Sequence, residues 1–124
     1  MVVHYNVRRQ EPGLTIMDFT GQLSLGNEIQ GVEYAIKDLI EQGSRKLVLD
    51  LAQLNFLDSA GVGMLAVSAG AMGKAGGRVM IAGAHGRVEG VLLLTGLNRI
   101  IGMYPDVAAA CAALADSPTP PASA

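Results

Sequence analysis

Ser59 is the residue of this chain whose type and surroundings best suit chemistry, standing in the run Asp58-Ser59-Ala60-Gly61 between an apolar stretch and a glycine-rich one. A serine hydroxyl can attack a carbonyl, accept a phosphoryl group or cap a helix, and its neighbours decide among these. Hydrolysis lacks its parts. No Gly-x-Ser-x-Gly elbow surrounds Ser59, and neither His4 nor His85 is tied to it by a motif that would supply a base. Capping needs less, because a serine oxygen after a turn can accept a bond from an unpaired first-turn N–H, so Ser59 is expected at the N-cap of a helix. A phosphate there would carry about −1.5 to −2 charges and be held by the same helix end. Asp58 beside it would oppose the added charge, leaving a strongly negative spot that repels a partner fitted to the bare hydroxyl.

The other candidate motifs fail on one missing residue each. Gly61-Val62-Gly63-Met64-Leu65-Ala66 has the glycine spacing of a dinucleotide turn, yet the next apolar strand ends in Ala82-Gly83-Ala84, with no acid to hold a ribose. Gly70-Ala71-Met72-Gly73-Lys74 is followed by Ala75, without the hydroxyl that a phosphate loop uses to hold magnesium. One cysteine and two distant histidines give no zinc spacing, so no metal and no cofactor are expected. Cys111 cannot form an internal disulfide and sits in an Ala-rich stretch that suits a small buried side chain.

The composition bounds where such a site could sit. A chain of 124 residues fits a single domain, and with half its residues apolar but only 4% aromatic its core must come from Val, Leu, Ile, Met and Ala. A net charge of −2 with interspersed signs gives no footprint for nucleic acid or an anionic membrane. No signal peptide opens the sequence and no run has membrane-spanning length, so a cytoplasmic protein is expected.

The elements that position Ser59 follow from hydropathy periods. Residues 2 to 9 and 14 to 20 alternate around Pro12-Gly13 and predict a hairpin, and Gln22-Leu23-Ser24-Leu25 could add a short strand after a bend at Gly21. Ile29, Val32, Ile36, Leu39 and Ile40 recur at helical steps up to Gly43. Residues 45 to 51 read as a strand buried on both faces, 59 to 75 as a covered helix, and 78 to 82 as another buried strand. A third helix reaches Thr95, with Leu93 and Leu94 off its apolar face, which predicts a neighbouring element or a contact surface. A short strand at 100 to 104 and a helix over 106 to 115 follow, and the Pro-rich residues 117 to 124 are expected to be disordered. The order implies an α/β domain over 1–116, a mixed β-sheet with helices packed on it.

The stretch from Leu47 to Leu65 resembles the signature of STAS-domain anti-sigma factor antagonists, joining a central strand, the Asp58-Ser59 pair, glycines and a helix start in that family's order. Gly21-Gln22-Leu23-Ser24 is similar to the family's Gly-Glu-Leu-Asp segment, with Ser24 in place of the acid, and Gly96 to Ile101 is similar to its late Gly-Leu turn. Ala60 stands where many members carry a second hydroxyl. The resemblance implies a STAS-like fold and a non-enzymatic partner switch. The unphosphorylated antagonist would bind an anti-sigma factor that is also a serine kinase, phosphorylation at Ser59 would weaken the complex, and a phosphatase would reset it. It further implies that Ser24, Asp58, Ser59, Ala60, Gly61 and Gly63 meet the partner, the two glycines by letting its backbone approach. Two other readings stand beside this one: a STAS scaffold or lipid-transport subunit acting without phosphorylation, and a small-ligand site between the sheet and the second helix.

Overall fold

In the computed structural model, which describes residues 3–11, 13–26 and 28–116, the alternating opening residues form an antiparallel hairpin. Its strands are β1 (His4–Glu11) and β2 (Leu14–Leu23). From there each apolar run becomes a parallel strand reached through a helix: α1 (Ile29–Glu41), β3 (Lys46–Leu57), α2 (Ser59–Lys74), β4 (Arg78–Ala82), α3 (Gly86–Leu94), β5 (Gly102–Tyr104) and α4 (Val107–Asp116). The five strands lie in the order β1-β2-β3-β4-β5, and every pairing after the first is parallel. A mixed sheet with helices packed on it is what the hydropathy pattern predicts.

Strand geometry sends alternate residues to opposite faces, and both faces are covered. Met17, Phe19, Leu47, Leu49, Leu51, Val79 and Ile81 pack with apolar residues of α1, α2 and α3. Leu14, Ile16, Val48, Met80 and Ala82 face Ala110 and Leu114 of α4. Burying each such large side chain contributes on the order of 1.5–3 kcal/mol, so the sheet and its two layers form one stabilising unit. Helix α1 stops because Gly43 takes a left-handed φ of 101°, letting its own N–H and that of Ser44 close on Ile40 and Leu39 carbonyls at 3.1 and 3.0 Å.

Several boundaries differ from expectation, most of all that of β3, expected over 45–51 and running to Leu57. The separate strand at 22–25 does not exist: β2 runs straight through Gly21, because β3 continues to Leu57 and offers partners to Gly21, Gln22 and Leu23. Ser24 and Leu25 therefore begin the connection to α1. The last strand is shorter, since residues 97–99 form a 3₁₀ turn in which the N–H groups of Ile100 and Ile101 both bond the Leu97 carbonyl. The last helix begins one residue late, at Val107, and Asp106 caps it by accepting the Ala109 N–H at 2.8 Å. The Pro-rich residues 117–124 lie outside the described residues.

Candidate functional site

Two neighbouring parallel strands, β2 and β3, deliver their carboxyl ends side by side, with Leu23 paired to Leu57. Their connections meet at Asp58. Its backbone N–H donates to the Leu23 carbonyl at 3.2 Å, and its carboxylate accepts the Leu25 N–H on Oδ2 and the Gly61 N–H on Oδ1, each at 3.0 Å. One residue thus fastens the start of α2 to the β2–α1 loop.

This corrects the expected cap. The N-cap is Asp58, in extended backbone conformation, and Ser59 is the first residue of the helix. The physical difference is small, since Asp and Ser cap about equally well and stand side by side, but only the carboxylate has a second oxygen to reach Leu25. Ser59 is exposed, its hydroxyl not used as the cap.

Asp58 titrates accordingly. Burial works to raise its pKa, but the backbone N–H groups of Gly61, Leu25 and Ala60 favour the charged form and hold it below the ordinary carboxylate value. With both oxygens engaged and a lowered pKa, Asp58 is a weak base toward the Ser59 hydroxyl.

The remaining expected residues divide. Ser24 is buried at the end of β2, next to the Leu23–Asp58 bond, and Ala60 is half-buried in the first turn of α2. Gly63 is exposed, with open space where a Cβ would stand, so a partner could approach it. Gly61 is not available in that way: it is buried, and a Cβ there would lie 2.5 Å from the Leu23 carbonyl oxygen and 2.6 Å from Leu57 Cδ1. Its missing side chain lets α2 sit on its own β2, so the glycine serves the fold and not an incoming backbone.

Sequence reasoning missed Leu25, which is 83% exposed, and Phe56, 39% exposed beside the site on β3. An apolar residue directly after a strand was the available signal for Leu25. On α3, Leu94 is 87% exposed and Leu93 is also uncovered, so these two leucines keep the contact-surface alternative predicted for them. The cleft between α2 and the sheet exists, with about 250 Å³ bounded by Ala66, Ala69, Gly70 and Gly73 of α2 and by Gly102 of β5, and Ser59 takes no part in it. Among the described residues no group of three His, Cys, Asp or Glu side chains could hold a metal, and no helix is long and apolar enough to cross a membrane.

Known structures share this fold. An anti-sigma factor antagonist from Mycobacterium paratuberculosis superposes with a TM-score of 0.82 at 26% identity, covering 92% of this chain and 95% of its own. SpoIIAA is similar in its unphosphorylated form, with a TM-score of 0.79 at 18% identity over 92% of this chain and 98% of that one. In its phosphorylated form, from Bacillus, the TM-score is 0.70 at 18% identity over 89% and 98%. The murine anion transporter Slc26a9 carries the same fold in a much larger chain, with a TM-score of 0.73 at 17% identity over 88% of this chain and 19% of that one. No curated protein matches. The STAS domain model matches residues 5–110, from the first strand into the last helix, and by that match this chain belongs to the STAS domain family.

Proposed function

We propose that this domain is an anti-sigma factor antagonist, bound in its unphosphorylated state by an anti-sigma factor with serine kinase activity and released by phosphorylation of Ser59. The carrying observation is the division of labour at the start of α2: Asp58 performs the capping, and Ser59 is left exposed on the first turn. A serine whose oxygen is not needed by the fold can be modified without unmaking it. The Ser59 oxygen would attack the terminal phosphorus of ATP held by the partner, with ADP leaving. The proton would pass to a base of the partner, since Asp58 is committed to backbone donors. Nucleotide and magnesium belong to that partner, and a separate phosphatase would return the hydroxyl.

The surface around the serine supports this reading. Leu25 and Phe56 expose apolar area beside an acid, which suits a partner contact that one added phosphate would spoil. The similarity to an anti-sigma factor antagonist at 26% identity adds to it. The new charge would lie next to the Asp58 carboxylate, so the modified surface carries both a desolvation cost and repulsion against any acidic partner group.

The test is incubation with the cognate kinase and ATP. One phosphate is expected by mass spectrometry and none on Ser59→Ala, while Ser59→Asp should weaken kinase binding by about 1–3 kcal/mol. Equal binding by both variants would remove the switch and leave a scaffold that holds its partners whatever the state of Ser59.

A further inference from the structure

At the amino-terminal ends of the parallel strands, the opposite end of the sheet from Ser59, a pocket of about 340 Å³ lies between the β1–β2 hairpin and the end of α1. Arg9, Thr15, Gln42 and Ser44 supply its polar lining, and Leu39 its apolar one. Arg9 is the cross-strand partner of Thr15, so both belong to one face of the hairpin.

The two hydroxyls are deeply buried, Thr15 at 3% and Ser44 at 7% exposure, and they bond each other at 3.0 Å. One hydrogen lies between the two oxygens. The second hydroxyl hydrogen has no acceptor within the pair, and both residues line the pocket. A buried donor of this kind favours an acceptor that enters.

The charge around it has the matching sign. Arg9 donates to the Gln42 side-chain oxygen, which uses part of the guanidinium fork and leaves other N–H groups for a ligand. The one carboxylate in this chain of bonds, Asp38, is engaged by the Gln42 amide at 3.0 Å. The carbonyl end of α1 would oppose an anion, but Arg45 donates to the Ile40 carbonyl at 2.8 Å, and Ser44 and Gly43 N–H groups close the last turn. Arg45, Lys46, Lys74 and Arg78 stand at this same end of the strands and, with Arg9, outnumber the acids there, Glu11, Asp38 and Glu41. Glu28, Asp58, Glu89 and Asp106 stand at the other, against Arg87. A chain of slightly negative net charge therefore presents a positive end.

We propose that this pocket binds a small oxyanion, a phosphate or carboxylate group, with Arg9 supplying the charge and the Thr15–Ser44 pair a buried donor. The proposal is independent of the switch at Ser59.

The test is a nuclear magnetic resonance titration of the full ¹⁵N-labelled chain with inorganic phosphate at constant ionic strength. Saturable shifts are expected at the amides of Gly13, Gly43 and Ser44, with Ser59 and Gly61 unmoved. Arg9→Gln, an exposed change that leaves the core intact, should weaken the affinity by about tenfold. Arg9→Lys should restore part of it. Shifts that never saturate, or that saturate equally in Arg9→Gln, would overturn the site. A parallel sedimentation with phosphatidic acid vesicles separates the sources. Arg9-dependent sedimentation relieved by free phosphate supports a lipid headgroup, and saturation by phosphate without sedimentation supports a free ligand.

Discussion

The Asp58 carboxylate accepts the backbone N–H of Leu25 across 3.0 Å, joining two loops that are 33 residues apart in sequence. The same carboxylate caps α2 through Gly61, so the helix start and the β2–α1 loop are held by one side chain. Any change to it acts on both.

Asp58→Ala should therefore destabilise the domain by about 1–2 kcal/mol, at the upper part of the range for loss of a helix cap. Asp58→Asn, which keeps an acceptor oxygen, should lose less. Ser59→Ala should stay within about 0.5 kcal/mol of the parent, because an exposed hydroxyl that does not cap contributes little. Urea unfolding of the three variants checks the order, and a Ser59→Ala loss as large as that of Asp58→Ala would return the cap to the serine.

Acid should weaken the domain through the same group. Because folding depresses the Asp58 pKa, its contribution is fully present above the unfolded carboxylate value of about 3.9 and is lost as pH falls through the lower folded value. The stability gap between the parent and Asp58→Asn should be flat from about pH 5 to 7 and close below about pH 4. Unfolding midpoints of both proteins across that range measure it; a gap that grows toward acid would contradict the direction of the shift.

The two glycines at the start of α2 should respond oppositely to the same change. Gly61→Ala drives a methyl into the Leu23 carbonyl and Leu57, and about 1–3 kcal/mol should be lost to overpacking. Gly63→Ala meets nothing within 4 Å, so the better helix former should add about 0.5–1 kcal/mol. If the switch reading holds, Gly63→Ala should still weaken partner binding while raising stability. Calorimetry with a binding assay on the same samples distinguishes the roles.

Leu25→Ser should leave unfolding within about 0.5 kcal/mol of the parent, since the side chain is 83% exposed, yet should weaken binding to the proposed anti-sigma partner. Surface plasmon resonance against that partner reads the effect. Unchanged binding would place the contact elsewhere.

Much of the fold was legible because apolar runs such as 47–49 and 79–81 have no other way to be buried than as central strands, and 29–40 repeats at helical steps. The far half of β3 was hidden by its own composition. Gln53 and Asn55 look like loop residues, and only the pairing of Thr20 with Gln53 and of Gln22 with Phe56 makes a strand of them. At the site, the position of the helix start was readable and its cap was not. Asp58 and Ser59 satisfy the same local rule, and the residue that decides between them, Leu25, is distant in sequence. Gly61 was likewise indistinguishable from Gly63 until the approach of the Leu23 carbonyl separated them.

Helix α2 carries glycine at 61, 63, 70 and 73 among its sixteen residues. Each costs about 1 kcal/mol of helix propensity against alanine, so the segment alone in water would be a coil. The first turn around Ser59 exists only once the sheet beneath it has formed. An enzyme that recognises this serine by the shape of a helix start would pass over nascent and unfolded copies, and its mark would report a finished molecule.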